Sequence, residues 1–132
     1  MNKDKAIEFV IKLMDLTNRK KLEWQILGDD PEVTPSKLPL HAKSDDYAYE
    51  TQIESNHFVL FRCRLPIEER EEITPDGWDE DFTYYLQIFD SNGKFRGRIS
   101  QSAVNVVLAD LYETIQDQLH PIDDIVDAIM SK

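Results

Sequence analysis

The chain has 132 residues, of which 41% are hydrophobic and 31% are charged, and its formal charge is −11 at pH 7. These values are typical of one soluble domain over residues 1–132, and charged residues interrupt every apolar stretch, which excludes a membrane span. The acidic balance argues against direct nucleic-acid binding, because a nucleic-acid binder needs basic residues to neutralise phosphates.

The polar residues near the N-terminus recur at steps of three and four, and this spacing predicts a helix from about Lys3 to Asn18. The apolar remainder of this helix is wider than the face that a helix needs to pack on one sheet. We therefore expect a second helix or a second subunit to cover it. Residues 1–16 lack the basic region and the uninterrupted apolar run of a signal peptide, so we expect a cytoplasmic protein.

A short strand follows the first helix. Alternation with period two places Leu22, Trp24 and Ile26 on one of its faces. Residues 28–46 contain three prolines and no usable periodicity, so we expect a long irregular connection there.

Alternating residues then predict a hairpin, with strands over residues 47–54 and 57–65 on either side of Ser55 and Asn56. The second strand has apolar residues on both of its faces. Cys63 is the only cysteine and lies in this strand, so it cannot form an internal disulfide and is interpreted as a small core residue.

A second hairpin is predicted in the second half of the chain. Residues 82–89 form its first strand, residues 90–93 supply an Asn-Gly turn, and residues 94–100 form the returning strand. Strict alternation in the returning strand places Phe95 and Ile99 on the same side.

Two helices are predicted at the C-terminal end. Ser100 or Ser102 is suited to cap the first of them, over residues 103–119, and His120-Pro121 ends it. The inward face of this helix would carry Val104, Val107, Leu108, Leu111, Ile115 and Leu119. The last helix is short and amphipathic, with an apolar side formed by Ile122, Ile125, Val126 and Ile129. The sequence thus predicts an α+β fold, with an N-terminal helix, an antiparallel sheet of about five strands and two C-terminal helices.

Several short motifs carry a resemblance. Leu13 to Trp24 has the pattern Leu-x-x-Leu-Thr-x-x-x-Lys-Leu-x-Trp, and Tyr84 to Gly93 has the pattern Tyr-Tyr-Leu-x-Ile-x-Asp-x-x-Gly. With these motifs the chain resembles a loose group of small bacterial helix–sheet–helix proteins. The resemblance implies the same architecture, and no function comes with it.

The sequence lacks the patterns that identify common catalytic and cofactor sites. It contains no Gly-x-Ser-x-Gly nucleophile motif and no glycine-rich loop that opens a helix. His41, His57 and His120 are far apart in sequence and have no cysteine pair near them, so a zinc site is not expected. We predict no catalytic residue, no cofactor and no metal.

Two surface features are candidates for binding a partner. The first is an acidic segment over residues 66–81, in which an aromatic residue stands among charges; its candidate residues are Glu68, Glu69, Glu71, Glu72, Trp78 and Asp79. The second is a basic strip formed if two strands are neighbours and share a face, with candidate residues Arg62, Arg64, Lys94, Arg96 and Arg98. The alternative for the arginines is ordinary pairing with carboxylates across the sheet.

These features favour a small, non-catalytic interaction module, similar to an immunity protein, an antitoxin or an inhibitor. It would bind another protein through the acidic segment or through the first helix, and the acidic surface favours a basic partner. In one variant, spaced carboxylates mimic phosphates, and the candidates are Asp110, Glu113, Asp117, Asp123, Asp124 and Asp127.

Two alternatives stay open. One is a small-molecule binder or enzyme with a pocket between sheet and helices, lined by Tyr47, Tyr49, Tyr84 and Tyr85. The other is a homodimeric module assembled through the first helix.

Overall fold

The computed structural model describes residues 1–27, 43–44, 48–64, 82–120 and 122–132. Its elements confirm the predicted α+β arrangement, with one helix before an antiparallel sheet and two helices after it. In chain order they are α1 (Lys3–Asn18), β1 (Gln25–Ile26), β2 (Lys43–Ser44), β3 (Tyr49–Ile53), β4 (Asn56–Arg64), β5 (Phe82–Phe89), β6 (Phe95–Ile99), a 3₁₀ turn (Ser102–Val104), α2 (Asn105–Leu119) and α3 (Asp123–Met130).

The sheet is built around β4. Five strands follow the order β1-β3-β4-β5-β6, and each neighbouring pair is antiparallel. A sixth strand, β2, pairs with the last part of β4, where Lys43 lies opposite Arg64 and Ser44 opposite Cys63. The expectation that residues 28–46 form only an irregular connection is therefore wrong for these two positions, since a two-residue strand is too short for periodicity to reveal.

The hairpin between β3 and β4 turns one residue earlier than the sequence predicts. Ile53 pairs with Asn56, and the two residues between them have φ of 50° and 68°, at Glu54 and Ser55. Positive φ at both positions matches the twist of the adjoining strands. The Asn56 side chain donates to the carbonyls of Ile53 and Glu54, both at 3.3 Å. Asn56 thus supports the turn from its edge.

A bulge in β6 reverses part of its predicted alternation. Gly97 pairs with Ile88, whereas Phe95 pairs with Phe89, so one extra residue lies between these pairs in β6. The Phe95 ring packs against Phe89 with centroids 5.7 Å apart, on the face opposite to Ile99. The prediction that Phe95 and Ile99 share a side is wrong, because a bulge shifts the period of two by one residue.

The first core lies between the sheet and two helices. Its largest buried side chains include Leu13 of α1, Leu60 of β4 and Leu111 of α2. Gln101 donates to the Met1 carbonyl and Gln118 to the Thr17 carbonyl, so α1 and α2 run parallel to each other. This confirms that a second helix covers α1. The buried residues of α2 agree with its predicted inward face. Tyr112 is buried on this face as well, although the prediction did not include it.

The second core lies on the opposite face of the sheet. It contains Leu27, Ala48, Val59, Phe61, Cys63 and Tyr85. Cys63 is fully buried, which confirms its predicted place in the core. Phe61 and Tyr85 stack with centroids 5.4 Å apart.

The segment after α1 is anchored by Trp24. Its indole N–H donates to the Thr17 hydroxyl at 3.0 Å, and that hydroxyl donates to the Leu13 carbonyl at 2.7 Å. Leu22 and Trp24 face the first core as predicted. Ile26 lies on the same face, since it pairs with Tyr49 of the first core, but it is 41% exposed because β1 is the edge strand of the sheet.

The helix ends also differ from the prediction at one place. Asn2 caps α1 by accepting from the Lys5 N–H at 2.8 Å. Within residues 82–120, neither predicted serine is a cap: Gln101 precedes the 3₁₀ turn and Val104 precedes α2, without a side-chain capping bond. The 3₁₀ turn continues directly into α2, which moves the start of the helix away from the serines. None of the helices in the described ranges has the length and apolarity of a membrane span.

The Thr17 hydroxyl should matter more to stability than its size suggests. Replacing Thr17 by Val leaves the buried indole N–H of Trp24 without its acceptor, and we expect a loss of about 1–3 kcal/mol in the free energy of unfolding. Urea unfolding followed by circular dichroism measures it. Thr17→Ser keeps the hydroxyl and is the control; an equal loss in both variants would contradict this role.

Candidate interaction surfaces

The clearest surface feature is the apolar side of α3. Every residue from 122 to 132 is exposed. The α3 stripe consists of five large apolar side chains with exposures between 46% and 79%: Ile122, Ile125, Val126, Ile129 and Met130. Among the described residues, neither core contains any of them. The predicted amphipathic helix is therefore present, but it is not part of a core.

Two of the three aspartates of α3 lie on its other side. Asp124 and Asp127 are two and five positions after Ile122, so the helical period places them away from the stripe. Asp123 lies at the edge of the stripe, because it is three positions before Val126 and seven before Met130. Asp123 and Asp124 are in the first turn, where the helix dipole favours negative charge. Sequence reasoning found this division but missed Met130, whose spacing of four from Val126 was the available signal.

Two of the predicted arginines lie on opposite faces of the sheet. The Arg62 guanidinium carbon is 5.1 Å from the centroid of the Tyr112 ring, on the side covered by α2. The Arg98 guanidinium carbon is 5.7 Å from the Tyr85 ring, on the side of the second core. In addition, β5 separates β4 from β6. The strip that would join Arg62 to Arg98 does not form, although a binding role for each arginine stays a prediction.

Arg96 belongs to the turn between β5 and β6. Its guanidinium is 3.5 Å from one carboxylate oxygen of Asp90, and it is largely exposed. The other carboxylate oxygen of Asp90 accepts from the backbone N–H groups of Asn92 and Lys94, at 2.9 and 3.0 Å. The Lys94 N–H, supported by the Asn92 N–H and by Arg96, lowers the pKa of Asp90 below its ordinary value. Arg96 thus has a structural partner inside its own hairpin.

The acidic candidates lie outside the described residues. These are Glu68, Glu69, Glu71, Glu72, Trp78 and Asp79. Arg64 is the last residue of β4, and its side chain is also outside the description. The carboxylates considered for phosphate mimicry on α2, at Asp110, Glu113 and Asp117, are all exposed.

The four tyrosines proposed to line one pocket do not share a site. Tyr49 and Tyr84 both pack against the Tyr112 ring in the first core, with centroid distances of 5.1 and 5.6 Å. Tyr85 belongs to the second core, across the sheet, and Tyr47 is outside the described residues. Neighbouring residues of a strand point to opposite faces, so Tyr84 and Tyr85 cannot line the same cavity.

A cleft of about 360 Å³ is present elsewhere, at the β1 end of the sheet. Its polar walls include Lys21, Glu23, Gln25, Glu50, Gln52 and His57. The Thr51 hydroxyl, also in this wall, already donates to the Glu23 carbonyl at 2.8 Å. Within the described ranges, no group of three or more His, Cys, Asp or Glu residues is placed to hold a metal ion.

Comparison of the chain with protein-family models, with curated proteins and with solved structures finds no match. The resemblance carried by residues 13–24 and 84–93 therefore remains an interpretation of the sequence.

The Asp90 turn should give a measurable pH dependence. Because its pKa is lowered from 3.8 on folding, the Asp90 carboxylate stabilises the fold above that value, and this contribution is lost as pH falls through the lower pKa. We expect Asp90→Asn, which keeps one acceptor oxygen, to lower the urea midpoint at about pH 7 and to approach wild type at about pH 2. A difference between the two proteins that stays constant over this range would contradict the assignment.

Proposed function

We propose that this chain is a small, non-catalytic protein-interaction module and that α3 is its binding element. The observation that supports this proposal is the exposure of the α3 stripe. Single exposed apolar residues are ordinary on protein surfaces, whereas a contiguous group of large ones is typical of an interaction site. Five such side chains within nine residues form a group of this kind.

The length of α3 supports the same proposal. A helix of eight residues is marginal in water by itself, because nucleation is costly and few hydrogen bonds follow it. Most helices of this length are stabilised by packing of their apolar side. A protein partner that covers the stripe supplies this packing.

The spacing of the stripe fits a known mode of recognition. Ile122, Ile125, Val126 and Ile129 are at positions i, i+3, i+4 and i+7, the pattern with which amphipathic helices anchor in apolar surfaces of other proteins. The interface proposed here is thus α3, while the acidic segment and α1 remain further candidates. In α1, Ile11 is the large apolar residue with substantial exposure, at 53%.

Position-specific photo-crosslinking in living cells tests this proposal. A photoreactive phenylalanine analogue at position 125 is on the stripe, and the same analogue at position 127 is on the acidic side of the same helix. We expect protein adducts from position 125, few from position 127, and loss of the adducts when Ile129→Asn is added. Equal labelling from both positions, or no adduct from position 125, would contradict α3 as the binding element.

A further inference from the structure

We infer that the α3 stripe pairs with the α3 stripe of a second copy of this chain, in an antiparallel, two-fold symmetric arrangement. This inference rests on the proposed function, since it names the partner of the same surface. It replaces α1, the predicted site of dimerisation, with an element whose apolar side is exposed throughout.

The distribution of charge on α3 supports self-pairing. Asp124 and Asp127 lie on the side away from the stripe, so two helices that face each other through Ile125, Val126 and Ile129 keep these two carboxylates out of the contact, while Asp123 stays at its edge. The small Ala128 lies at the other flank of the stripe and allows a close approach of the two helices. A partner that recognised Asp124 and Asp127 would have to reach around to the opposite side.

The geometry of the stripe is self-complementary. From Ile122 to Ile129 it extends for about 10 Å along the helix axis. An antiparallel pair with its two-fold axis near Ile125 and Val126 brings Ile122 next to Ile129 of the second copy, and the reverse contact follows by symmetry. Apolar side chains meet apolar side chains along the whole length.

The available area predicts a weak dimer. Side chains with exposures of 46% to 79% offer on the order of 600 Å² per chain, so complete burial of the stripe in the pair would remove at most about 1,200 Å², which is the lower end for specific interfaces. We therefore expect a dissociation constant on the order of 10 µM. Because each chain carries a charge of −11, the copies also repel each other, and salt should strengthen the dimer by screening.

Sedimentation equilibrium of the purified full chain tests the inference over about 1–500 µM, at low and at high sodium chloride. We expect a monomer–dimer equilibrium that tightens as salt rises. The stripe variant Ile125→Asn with Ile129→Asn should weaken dimerisation at least about 100-fold, because four apolar side chains leave the interface. The matched control, Asp124→Asn with Asp127→Asn, places two asparagines in the same helix and should dimerise at least as tightly as wild type.

Each outcome decides the inference. A wild-type chain that is monomeric over the whole range overturns it, and so does a dimer that the stripe variant leaves intact. Thermal unfolding of the stripe variant should match wild type under conditions where both are monomeric, since α3 lies outside both described cores. The proposed function has its own test: adducts from position 125 to a different protein, with a monomeric chain, would leave the function standing and remove the second copy as partner.

Discussion

The two-sided burial of β4 is the constraint on which the rest of this structure depends. Phe58 and Leu60 enter the core under the helices, while Val59, Phe61 and Cys63 enter the core on the other face. A strand of this kind needs a core on each face, so neither face can be left to water. Its two edges are paired with β3 and β5, which makes it a central strand of the sheet.

The same burial makes the register of β4 hard to fix by hydrophobicity. Sliding a strand by one residue normally exposes its apolar face, but here one apolar set would replace another. The register is instead determined by the two-residue turn at Glu54 and Ser55 and by Arg62. Arg62 is a charged residue on the helix side, where it lies over the Tyr112 ring, and a slip by one residue would move its charge to the face of the second core. The short turn and Arg62 thus fix the register of β4, which the alternation of apolar residues alone leaves open.

Local patterns explain what the sequence predicted well. Both hairpins, α1 and α2 depend on spacings within a few residues, so periodicity and turn residues are sufficient to locate them. The sequence-based predictions are wrong where contacts between distant segments of the chain determine the structure. The basic strip required the order of β4, β5 and β6, and the pairing of β4 with β5 joins segments separated by residues 65–81. The predicted face of Phe95 is wrong because the bulge shifts the alternation of β6 and leaves no signal in the sequence. The predicted pocket position of Tyr85 is wrong because β5 is buried on both faces, and Tyr85 lies on the face of the second core.

The last two helices show that an amphipathic pattern does not by itself place a helix in the core. Both α2 and α3 have an apolar side at helical spacing, and from sequence alone the two patterns predict the same role. In α2 that side is buried against β5 and α1, whereas in α3 it is exposed along its whole length. The apolar residues of α3 therefore add little to the stability of either core, and polar replacements there should leave the fold intact. For this reason α3 is the element in which a loss of binding can be measured without a loss of folding.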